Sequence, residues 1–362
     1  MNKVVVNARF LTQPITGTQR FAIELSRALK PLLPELVFVA PDNIVHPAIA
    51  QELEVQVVGR LRQGLLWEQL ELPLYLRRQG SPLLLNLCNV APVTYRNNVV
   101  VIHDLAFYVH PEWFSASFGW YYKTMLPRIA RHARRVVTVS QHSRQDLIRY
   151  FGLAPQQVDV LYQGIPSIFL GGGGGSVGAP NAYGRYVLGV SSLDPRKNFK
   201  GLIQAFRQAK LPGVKLVIVG SQHKVFADSD LKAVVGDDPS IVFTGYVSDE
   251  QLVALYRQAA LFAYPSFFEG FGIPPLEAMA CGCATLVSKT TSLPEVCGEA
   301  SEYVDPYDVA SIRRGLERVL GEESLRQALI AKGYQRVTHF SWQQSAQQLA
   351  ELVRSVNQAT RA

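Results

Sequence analysis

The chain has 362 residues, 48% hydrophobic and 18% charged, so it can bury the cores of two domains of about 150 to 200 residues each. This composition excludes a disordered protein, and no apolar run in the sequence reaches the length of a membrane span. The net charge of +7 favours anionic partners, and nucleic acid, a membrane surface and a nucleotide diphosphate all satisfy that requirement.

The cysteines and the first residues bear on the cellular compartment. The four cysteines are Cys88, Cys281, Cys283 and Cys297. Their spacing fits neither a disulfide framework nor the paired two-residue spacing of a zinc site. Residues 1–6 read as a first strand that is too short for a signal peptide. We therefore expect a cytoplasmic protein whose cysteines are reduced packing residues.

Apolar runs that alternate with helical stretches organise the first half of the chain. Strands are predicted at residues 4–6, 36–39, 83–87, 99–102, 136–139 and 158–162. This alternation predicts a parallel sheet covered by helices on both faces. The first loop leads through Thr16 and Gly17 into a helix, but its single glycine does not make the dinucleotide-binding fingerprint.

A polar pair, His103 and Asp104, follows the strand predicted at residues 99–102. Ligands of open parallel sheets bind at the carboxyl ends of the strands, so the pair stands where chemistry takes place. A histidine at a strand end is commonly structural, held by a backbone carbonyl, and the pair alone favours that interpretation.

Aromatic and basic residues are concentrated at residues 107–135. Core packing explains most of the rings. The basic residues there are Lys123, Arg128, Arg131, Arg134 and Arg135. The mixture also suits a ligand-binding cleft, or docking on an anionic bilayer. Nucleic acid is the poorer interpretation, because no nucleic-acid-binding motif accompanies the charge.

A glycine run at residues 171–175, followed by Ser176, separates the two halves and is typical of a flexible tether. A strand predicted at residues 186–190 then leads to Arg196 and Lys197, two adjacent cations that suit a diphosphate. Strands are also predicted at residues 216–219 and 241–243. Asp228-Ser229-Asp230 has the form of a metal-binding motif, but it precedes a helical stretch, so helix capping is the better account and no metal is expected.

The segment at residues 264–283 carries the strongest signal. An apolar strand at residues 260–263 is followed by a loop with Gly270 and Gly272, and Pro274 and Pro275 then open a helix. The N-terminus of such a helix favours phosphate oxygens or sugar hydroxyls. Glu269 and Glu277 stand at the two ends of this loop, the second in the first helical turn. Their spacing alone is weak evidence, since helix stabilisation and a solvated loop would explain them.

The sequence Glu-Gly-Phe-Gly-Ile-Pro-Pro-Leu-Glu-Ala-Met-Ala at residues 269–280 resembles the motif of two glutamates separated by seven residues in the retaining family 4 glycosyltransferases. Gly282, Ser292-Leu293-Pro294-Glu295 and Asp305-Pro306 are also similar to that family's pattern. The resemblance implies the GT-B fold of two doubly wound parallel-sheet, Rossmann-like domains that face a cleft. The expected acceptor-side domain is 1–165 completed by 341–362, and the nucleotide-sugar domain is 183–340 after a linker at 166–182.

The resemblance also implies roles for individual residues. Arg196, Lys197 and the backbone of residues 270–273 would bind the departing diphosphate, although the family usually has an arginine where Ser192 stands, which makes Arg196 the weaker match. Glu277 would bind the ribose and Glu269 the donor sugar, with His103 near that sugar and oriented by Asp104. The expected catalytic residues are thus Glu269 and His103, and the expected donor-binding residues are Gly17, Arg196, Lys197, Tyr246, Val247, Gly270, Phe271, Gly272, Ile273, Leu276 and Glu277.

The function that the resemblance implies is retaining transfer of a hexose to a saccharide or lipid-linked acceptor in bacterial polysaccharide or O-antigen assembly. Mannose from GDP-mannose is favoured, followed by dTDP- or GDP-linked deoxyhexoses, and neither a cofactor nor a metal is expected. Same-face attack is preferred to double displacement, because ribose would occupy Glu277. The location implied is the cytoplasm or the inner face of the membrane. Two alternatives stay open, a sugar-nucleotide epimerase and a non-catalytic carbohydrate- or membrane-binding module.

Overall fold

The computed structural model describes residues 3–171, 182–192, 194–220 and 234–358, except for the side chains of 116–118. Residues 172–176 of the glycine run and Asp228-Ser229-Asp230 lie outside this description. The contacts divide the chain into two units, Met1–Gly164 with Ser341–Ala362, and Ile165–Phe340.

The first unit is built on a seven-stranded parallel sheet with the order β3-β2-β1-β4-β5-β6-β7. Its strands are β1 (Val4–Asn7), β2 (Leu36–Ala40), β3 (Gln56–Val57), β4 (Leu83–Asn86), β5 (Asn98–Val101), β6 (Arg135–Thr138) and β7 (Val158–Val160). Runs of valine and leucine form the central strands, because these are buried on both faces. The strand order reverses between β1 and β4, where Asn7 lies beside Asn86.

Helices cover this sheet. They are α1 (Gly17–Leu29), α2 (Pro47–Glu52), α3 (Gly64–Leu66), α4 (Leu72–Arg78), α5 (Ala106–Val109), α6 (Ala116–His132) and α7 (Gln141–Phe151). A π-turn, Trp67–Glu71, joins α3 to α4. The final helix of the chain, Trp342–Gln358, packs on α1 and completes this unit.

The second unit contains a six-stranded parallel sheet with the order β10-β9-β8-β11-β12-β13. Its strands are β8 (Arg185–Val190), β9 (Val214–Val219), β10 (Ile241–Gly245), β11 (Leu261–Tyr264), β12 (Thr285–Ser288) and β13 (Ser301–Val304). The reversal of strand order here lies between β8 and β11, and ligands of such sheets bind at the carboxyl ends of the strands at this point.

The described helices of the second unit are α8 (Ser167–Leu170), α9 (Phe199–Ala209), α10 (Asp249–Gln258), α11 (Ile273–Ala280), α12 (Leu293–Cys297), α13 (Val309–Gly321) and α14 (Glu323–Val337). The final helix, Trp342–Gln358, is α15. Helix α8 falls in the segment predicted as a linker, yet Phe169 is fully buried and packs against Tyr256. The second unit therefore starts before the linker predicted from the glycine run.

The predicted fold class, with two doubly wound parallel sheets, is confirmed. Every predicted strand is present, with ends displaced by one or two residues, and β3, β12 and β13 are additional. Cys281, Cys283 and Cys297 are buried and unpaired, as expected, whereas Cys88 is only half-buried. Within the described ranges, no helix is long and apolar enough to cross a membrane.

Candidate functional site

Two loops of the second unit leave neighbouring strands at the point where the strand order reverses. The first follows β8 and carries Arg196 and Lys197, and the second follows β11 and carries Glu269. Because both loops start at carboxyl ends of adjacent parallel strands, they meet at one edge of the sheet.

Hydrogen bonds to the loop that precedes α12 hold the loop after β11 in place. The hydroxyl of Ser292 donates to the carbonyl oxygens of Glu269 (2.9 Å) and Phe271 (2.8 Å). The backbone N–H of Glu269 donates to Oγ1 of Thr291 at 3.2 Å. Gly272 has φ +108°, and a Cβ atom there would lie 2.6 Å from a methyl group of Leu293. The loop therefore has one well-defined conformation that requires glycine.

Asn198 fastens the loop after β8 to its neighbours. Its Nδ2 donates to the carbonyl oxygens of Pro265 (3.0 Å) and Pro306 (2.8 Å). Its Oδ1 accepts from the N–H of Gly201 and so caps α9. A single buried amide thus ties the residue after Lys197 to the loops that follow β11 and β13.

Lys197 and Glu269 form a buried ion pair. Nζ of Lys197 lies 2.7 Å from Oε1 and 2.9 Å from Oε2 of Glu269, and it also donates to the hydroxyl of Tyr264 at 2.8 Å. Each of the two charged side chains is about 7% exposed. Charged side chains are rarely buried so completely unless they are paired. Groups whose pKa values are shifted by burial and by a charged partner are concentrated at functional sites.

The three side chains shift each other's pKa values. Burial raises the pKa of Glu269, but Lys197 and Arg196 outweigh this effect and hold it below its usual value. Burial lowers the pKa of Lys197 against the attraction of Glu269. Burial and the Glu269 charge raise the pKa of Tyr264 far above its usual range, so that hydroxyl stays protonated. The glutamate is therefore a carboxylate at neutral pH.

Arg196 stands beside this pair. Its Nε lies 3.6 Å from Oδ2 of Asp194, and its carbonyl oxygen accepts from the N–H of Phe267 at 2.8 Å. Asp194 also caps the turn by accepting from the backbone N–H of Arg196. The arginine is thus positioned by both loops that meet here.

Glu277 is the fifth residue of α11, not a residue of its first turn, because the helix begins at Ile273 rather than at the prolines. The carboxylate is buried, and Oε2 accepts from the hydroxyl of Tyr256 at 3.2 Å. Burial and the Glu277 charge raise the pKa of Tyr256 well above its usual range. Tyr256 therefore acts as a permanent hydrogen-bond donor that orients Glu277.

The other residues predicted around α11 lie as follows. Gly270, Phe271, Gly272 and Leu276 are buried, and Ile273 is half-buried. Two of the first four helical positions are Pro274 and Pro275, which have no N–H group. The N-terminus of α11 consequently offers fewer donors than an ordinary helix start.

Tyr246 and Val247 follow β10, two strands away from β8 in the sheet. Tyr246 is 91% exposed and Val247 is half-buried. Their place at a carboxyl strand end agrees with the predicted position.

Two predicted residues belong to the first unit. Gly17 is the first residue of α1, and a Cβ atom there would have no described atom within 4 Å. His103 is buried beside Phe21, with ring centroids 4.6 Å apart. Burial lowers the pKa of His103, and Nε2 lies 3.1 Å from the carbonyl oxygen of Leu87, so the neutral ring donates from Nε2. A carboxylate oxygen of Asp104 accepts from the N–H of Ala106, and the charge of Asp104 acts to raise the pKa of His103. That Asp104 orients the ring stays a prediction.

The sequence assigned no supporting role to the side chains of Tyr256, Tyr264 and Asn198, and it offered Ser292 only as part of the family pattern. Asn198 directly follows the predicted lysine, and Tyr264 ends the predicted strand, so their positions carried a weak signal. Within the described residues, no group of three His, Cys, Asp or Glu side chains is arranged to hold a metal ion.

Comparisons with known proteins place the chain among glycosyltransferase sequences. Residues 15–167 match the family described as Glycosyltransferase Family 4, and residues 179–336 match Glycosyl transferases group 1. The chain is 29% identical to an O-antigen chain mannosyltransferase B of Escherichia coli, over 94% of this chain and 96% of the relative. It is 31% identical to a serotype-specific mannosyltransferase WbdA of Escherichia coli over 68% of this chain, which spans only 32% of that longer protein.

Solved structures share the architecture. Sucrose-phosphate synthase of Thermosynechococcus elongatus superposes with a TM-score of 0.76 at 19% identity, covering 99% of this chain and 100% of that chain. HepE of Anabaena, solved with UDP and glucose, gives a TM-score of 0.74 at 20% identity, covering 98% and 100%. At these identities the likeness establishes the fold alone.

Proposed function

The chain belongs to the group 1, or family 4, glycosyltransferases, and from this premise we propose that it is a retaining mannosyltransferase. In this proposal the donor is GDP-mannose and the acceptor is a saccharide or lipid-linked saccharide of O-antigen or related polysaccharide assembly. The named relatives that act in O-antigen assembly support the choice of sugar and pathway. We further propose that transfer needs no metal or cofactor and takes place in the cytoplasm at the inner face of the membrane.

The observation that carries the proposal is the buried group of Lys197, Glu269 and Tyr264. A lysine and an arginine in adjacent positions match the two negatively charged phosphates of a nucleoside diphosphate. When Lys197 turns to a phosphate oxygen, Glu269 loses its cation and becomes available to accept hydrogen bonds from sugar hydroxyls. Donor binding thus pairs Lys197 with a phosphate, and hydrogen bonds from the sugar hydroxyls would then satisfy the buried Glu269 carboxylate.

Departure of the nucleoside diphosphate places negative charge on the phosphate oxygens in the transition state. Arg196 and Lys197 would stabilise this charge, and the loss of one such group costs about 2.7 to 4 kcal/mol of transition-state stabilisation. Glu277, held by Tyr256, would accept from the ribose hydroxyls. With Glu277 so occupied, no second carboxylate is assigned for a double displacement, and we propose same-face attack assisted by the leaving phosphate.

The neutral His103 has its Nε2 proton directed at Leu87, so its Nδ1 is left as an acceptor. We propose that Nδ1 accepts a hydrogen bond from a hydroxyl of the donor sugar. Gly17 would let the start of α1 approach the donor closely, since no Cβ atom extends from the first helical residue.

The test is thermal stabilisation of the purified protein by GDP, UDP, dTDP, ADP and their sugars, measured with EDTA present. Selective stabilisation by GDP and GDP-mannose is expected, at about 2.7 kcal/mol when the ligand is a hundredfold above its Kd. Stabilisation by another nucleotide would replace the proposed donor, and no response in folded protein would overturn the donor site. Analysis of the product distinguishes transfer from epimerisation of the donor.

Activity of variants then tests the residues. Glu269→Ala and Lys197→Ala are each expected to reduce kcat by about 100-fold or more. Lys289→Ala is the matched control, since this exposed lysine pairs with Asp305 in the same unit. Undiminished turnover in the Lys197 and Glu269 variants would overturn the site assignment.

A further inference from the structure

Residues 64–78 of the first unit form one continuous helical segment made of α3, the π-turn and α4. Pro73 explains the π-turn, because proline lacks an N–H and its ring displaces the carbonyl four residues earlier. The widened turn lies in the middle of the segment and changes which residues face inward.

The inward side of this segment is anchored by polar as well as apolar groups. Nε1 of Trp67 donates to the carbonyl oxygen of Val58 at 2.6 Å. The buried carboxylate of Glu68 accepts from Nδ2 of Asn7 at 2.6 Å and lies 3.4 Å from the guanidinium of Arg9. These contacts fix the rotation of the segment about its axis.

The outward side carries leucines. Leu66, Leu70 and Leu74 are 42%, 54% and 50% exposed, and their spacing of four residues aligns them along one stripe. The outward side of a helix on a globular protein is normally polar. Leu65, beside the stripe, is also 41% exposed. Four leucines of the segment thus face solvent while Glu68 is buried, which is the reverse of the usual arrangement.

The charges beside the stripe are positive. Arg60, Arg77 and Arg78 are exposed, and Arg62 is exposed but pairs with Asp42 at 3.2 Å. The two acidic residues between positions 60 and 80 face elsewhere, since Glu68 is buried and Glu71 accepts from the backbone N–H groups of Arg60 and Leu61. We name the exposed residues Leu66, Leu70, Leu74, Arg77 and Arg78 the leucine face.

We propose that the leucine face docks the enzyme on an anionic lipid bilayer. An apolar stripe flanked by arginines fits a bilayer surface, where leucines enter the boundary of the acyl chains and arginines meet anionic headgroups. A second copy of the chain fits less well, because an isologous contact would bring the arginines of both copies together. The leucine face is a different surface from the aromatic and basic stretch at residues 107–135. In that stretch Phe107 and Tyr122 pack in the core, and Trp120 is exposed.

The inference goes beyond the proposed transfer reaction and places the membrane on a defined side of the first unit. It is tested without donor or acceptor, by sedimentation of the full chain with vesicles of phosphatidylcholine, with or without phosphatidylglycerol. The wild type is expected to bind the anionic vesicles and to lose binding at high salt. Failure to bind anionic vesicles would overturn the inference and leave the transfer proposal untouched.

Two variants test whether vesicle binding depends on the leucine face. Leu66→Gln/Leu70→Gln/Leu74→Gln and Arg77→Gln/Arg78→Gln are each expected to weaken vesicle binding about tenfold or more. Glutamine keeps helix propensity and the positions are exposed, so the melting temperature should change little. The matched control is Val45→Gln/Leu170→Gln, which replaces exposed apolar residues elsewhere.

The assignment would be overturned if the triple leucine variant bound anionic vesicles as tightly as the wild type does. It would also be overturned if the control variant lost as much vesicle binding as the triple leucine variant. Light scattering of the free protein tests the alternative that the leucine face binds a second copy of the chain. A wild-type dimer that becomes a monomer in the leucine variant, with no vesicle binding by either protein, would also overturn it.

Discussion

Lys197 and Glu269 are joined by two contacts of 2.7 and 2.9 Å in an environment where neither side chain is more than about 7% exposed. Removing one partner leaves the other charge buried, which costs about 3 to 5 kcal/mol. We therefore expect Lys197→Met and Glu269→Gln each to lower the free energy of unfolding by that amount.

The double variant Lys197→Met/Glu269→Gln should be less destabilised than the sum of the two, with a coupling energy of about 1 to 3 kcal/mol by urea unfolding. The half-exposed pair Arg313 and Glu317 is the control cycle, with expected coupling below about 1 kcal/mol. Additive effects at Lys197 and Glu269 would show that the ion pair does not form in solution.

The second prediction concerns the hydrogen bond from Tyr256 to Glu277. Tyr256→Phe removes the donor that orients the carboxylate, and a lost hydrogen bond of about 0.5 to 1.5 kcal/mol predicts a rise in donor KM of about 2- to 10-fold. Steady-state kinetics check this. Tyr186→Phe is the control, because that buried hydroxyl donates to the carbonyl of Leu255 instead of a glutamate. An equal KM change in both variants would argue for a general packing effect.

Gly272 and Gly17 give the third prediction, since both are assigned to donor binding but differ in their surroundings. Gly272→Ala forces a side chain into φ +108° and against Leu293, so a loss of about 1 to 3 kcal/mol in unfolding free energy is expected. Gly17→Ala meets no described atom and should change stability by less than about 0.5 kcal/mol.

Activity separates the two glycines further. Gly17→Ala should raise the donor KM at unchanged stability, because only a bound ligand would meet the added methyl group. A Gly17→Ala enzyme with wild-type kinetics would remove Gly17 from the donor site.

The fourth prediction concerns pH and His103. Burial holds the folded-state pKa of His103 below its usual value, so the unfolded chain binds a proton first as the pH falls below about 6.5. The free energy of unfolding should therefore decrease as the pH is lowered from about 6.5 to the folded-state pKa, by at most about 1.4 kcal/mol per pH unit.

His103→Gln keeps an N–H donor for Leu87 but does not titrate, and it should flatten the dependence of stability on pH. Denaturant unfolding at several pH values measures this, with the exposed His339→Gln as control. A His103→Gln profile as steep as that of the wild type would contradict the assignment of the proton to His103.

Most of the strands and the family could be predicted from the amino-acid sequence. Valine- and leucine-rich runs identified most strands, because strands buried on both faces must be apolar along their whole length. The strands β12 and β13 were missed, since Thr285, Ser288 and Ser301 interrupt that pattern, and their polar groups are satisfied only by neighbours such as the bond between Thr285 and Ser301. The motif at residues 269–280 located the loop, and the sequence predicts Lys197 as a phosphate ligand.

The contacts of these residues could be read only from the folded structure. Nothing local to position 197 or 269 shows that the two charges pair, because the contact spans 72 residues and depends on the order of β8 and β11 in the sheet. For His103 the sequence offered a backbone carbonyl or Asp104 as partner of the ring, and only the folded structure identifies the carbonyl of Leu87 as the one that Nε2 contacts. The exposure of the leucines in residues 64–78 could not be predicted from the sequence either, because periodicity indicates which residues share a helix face but not which face meets the core.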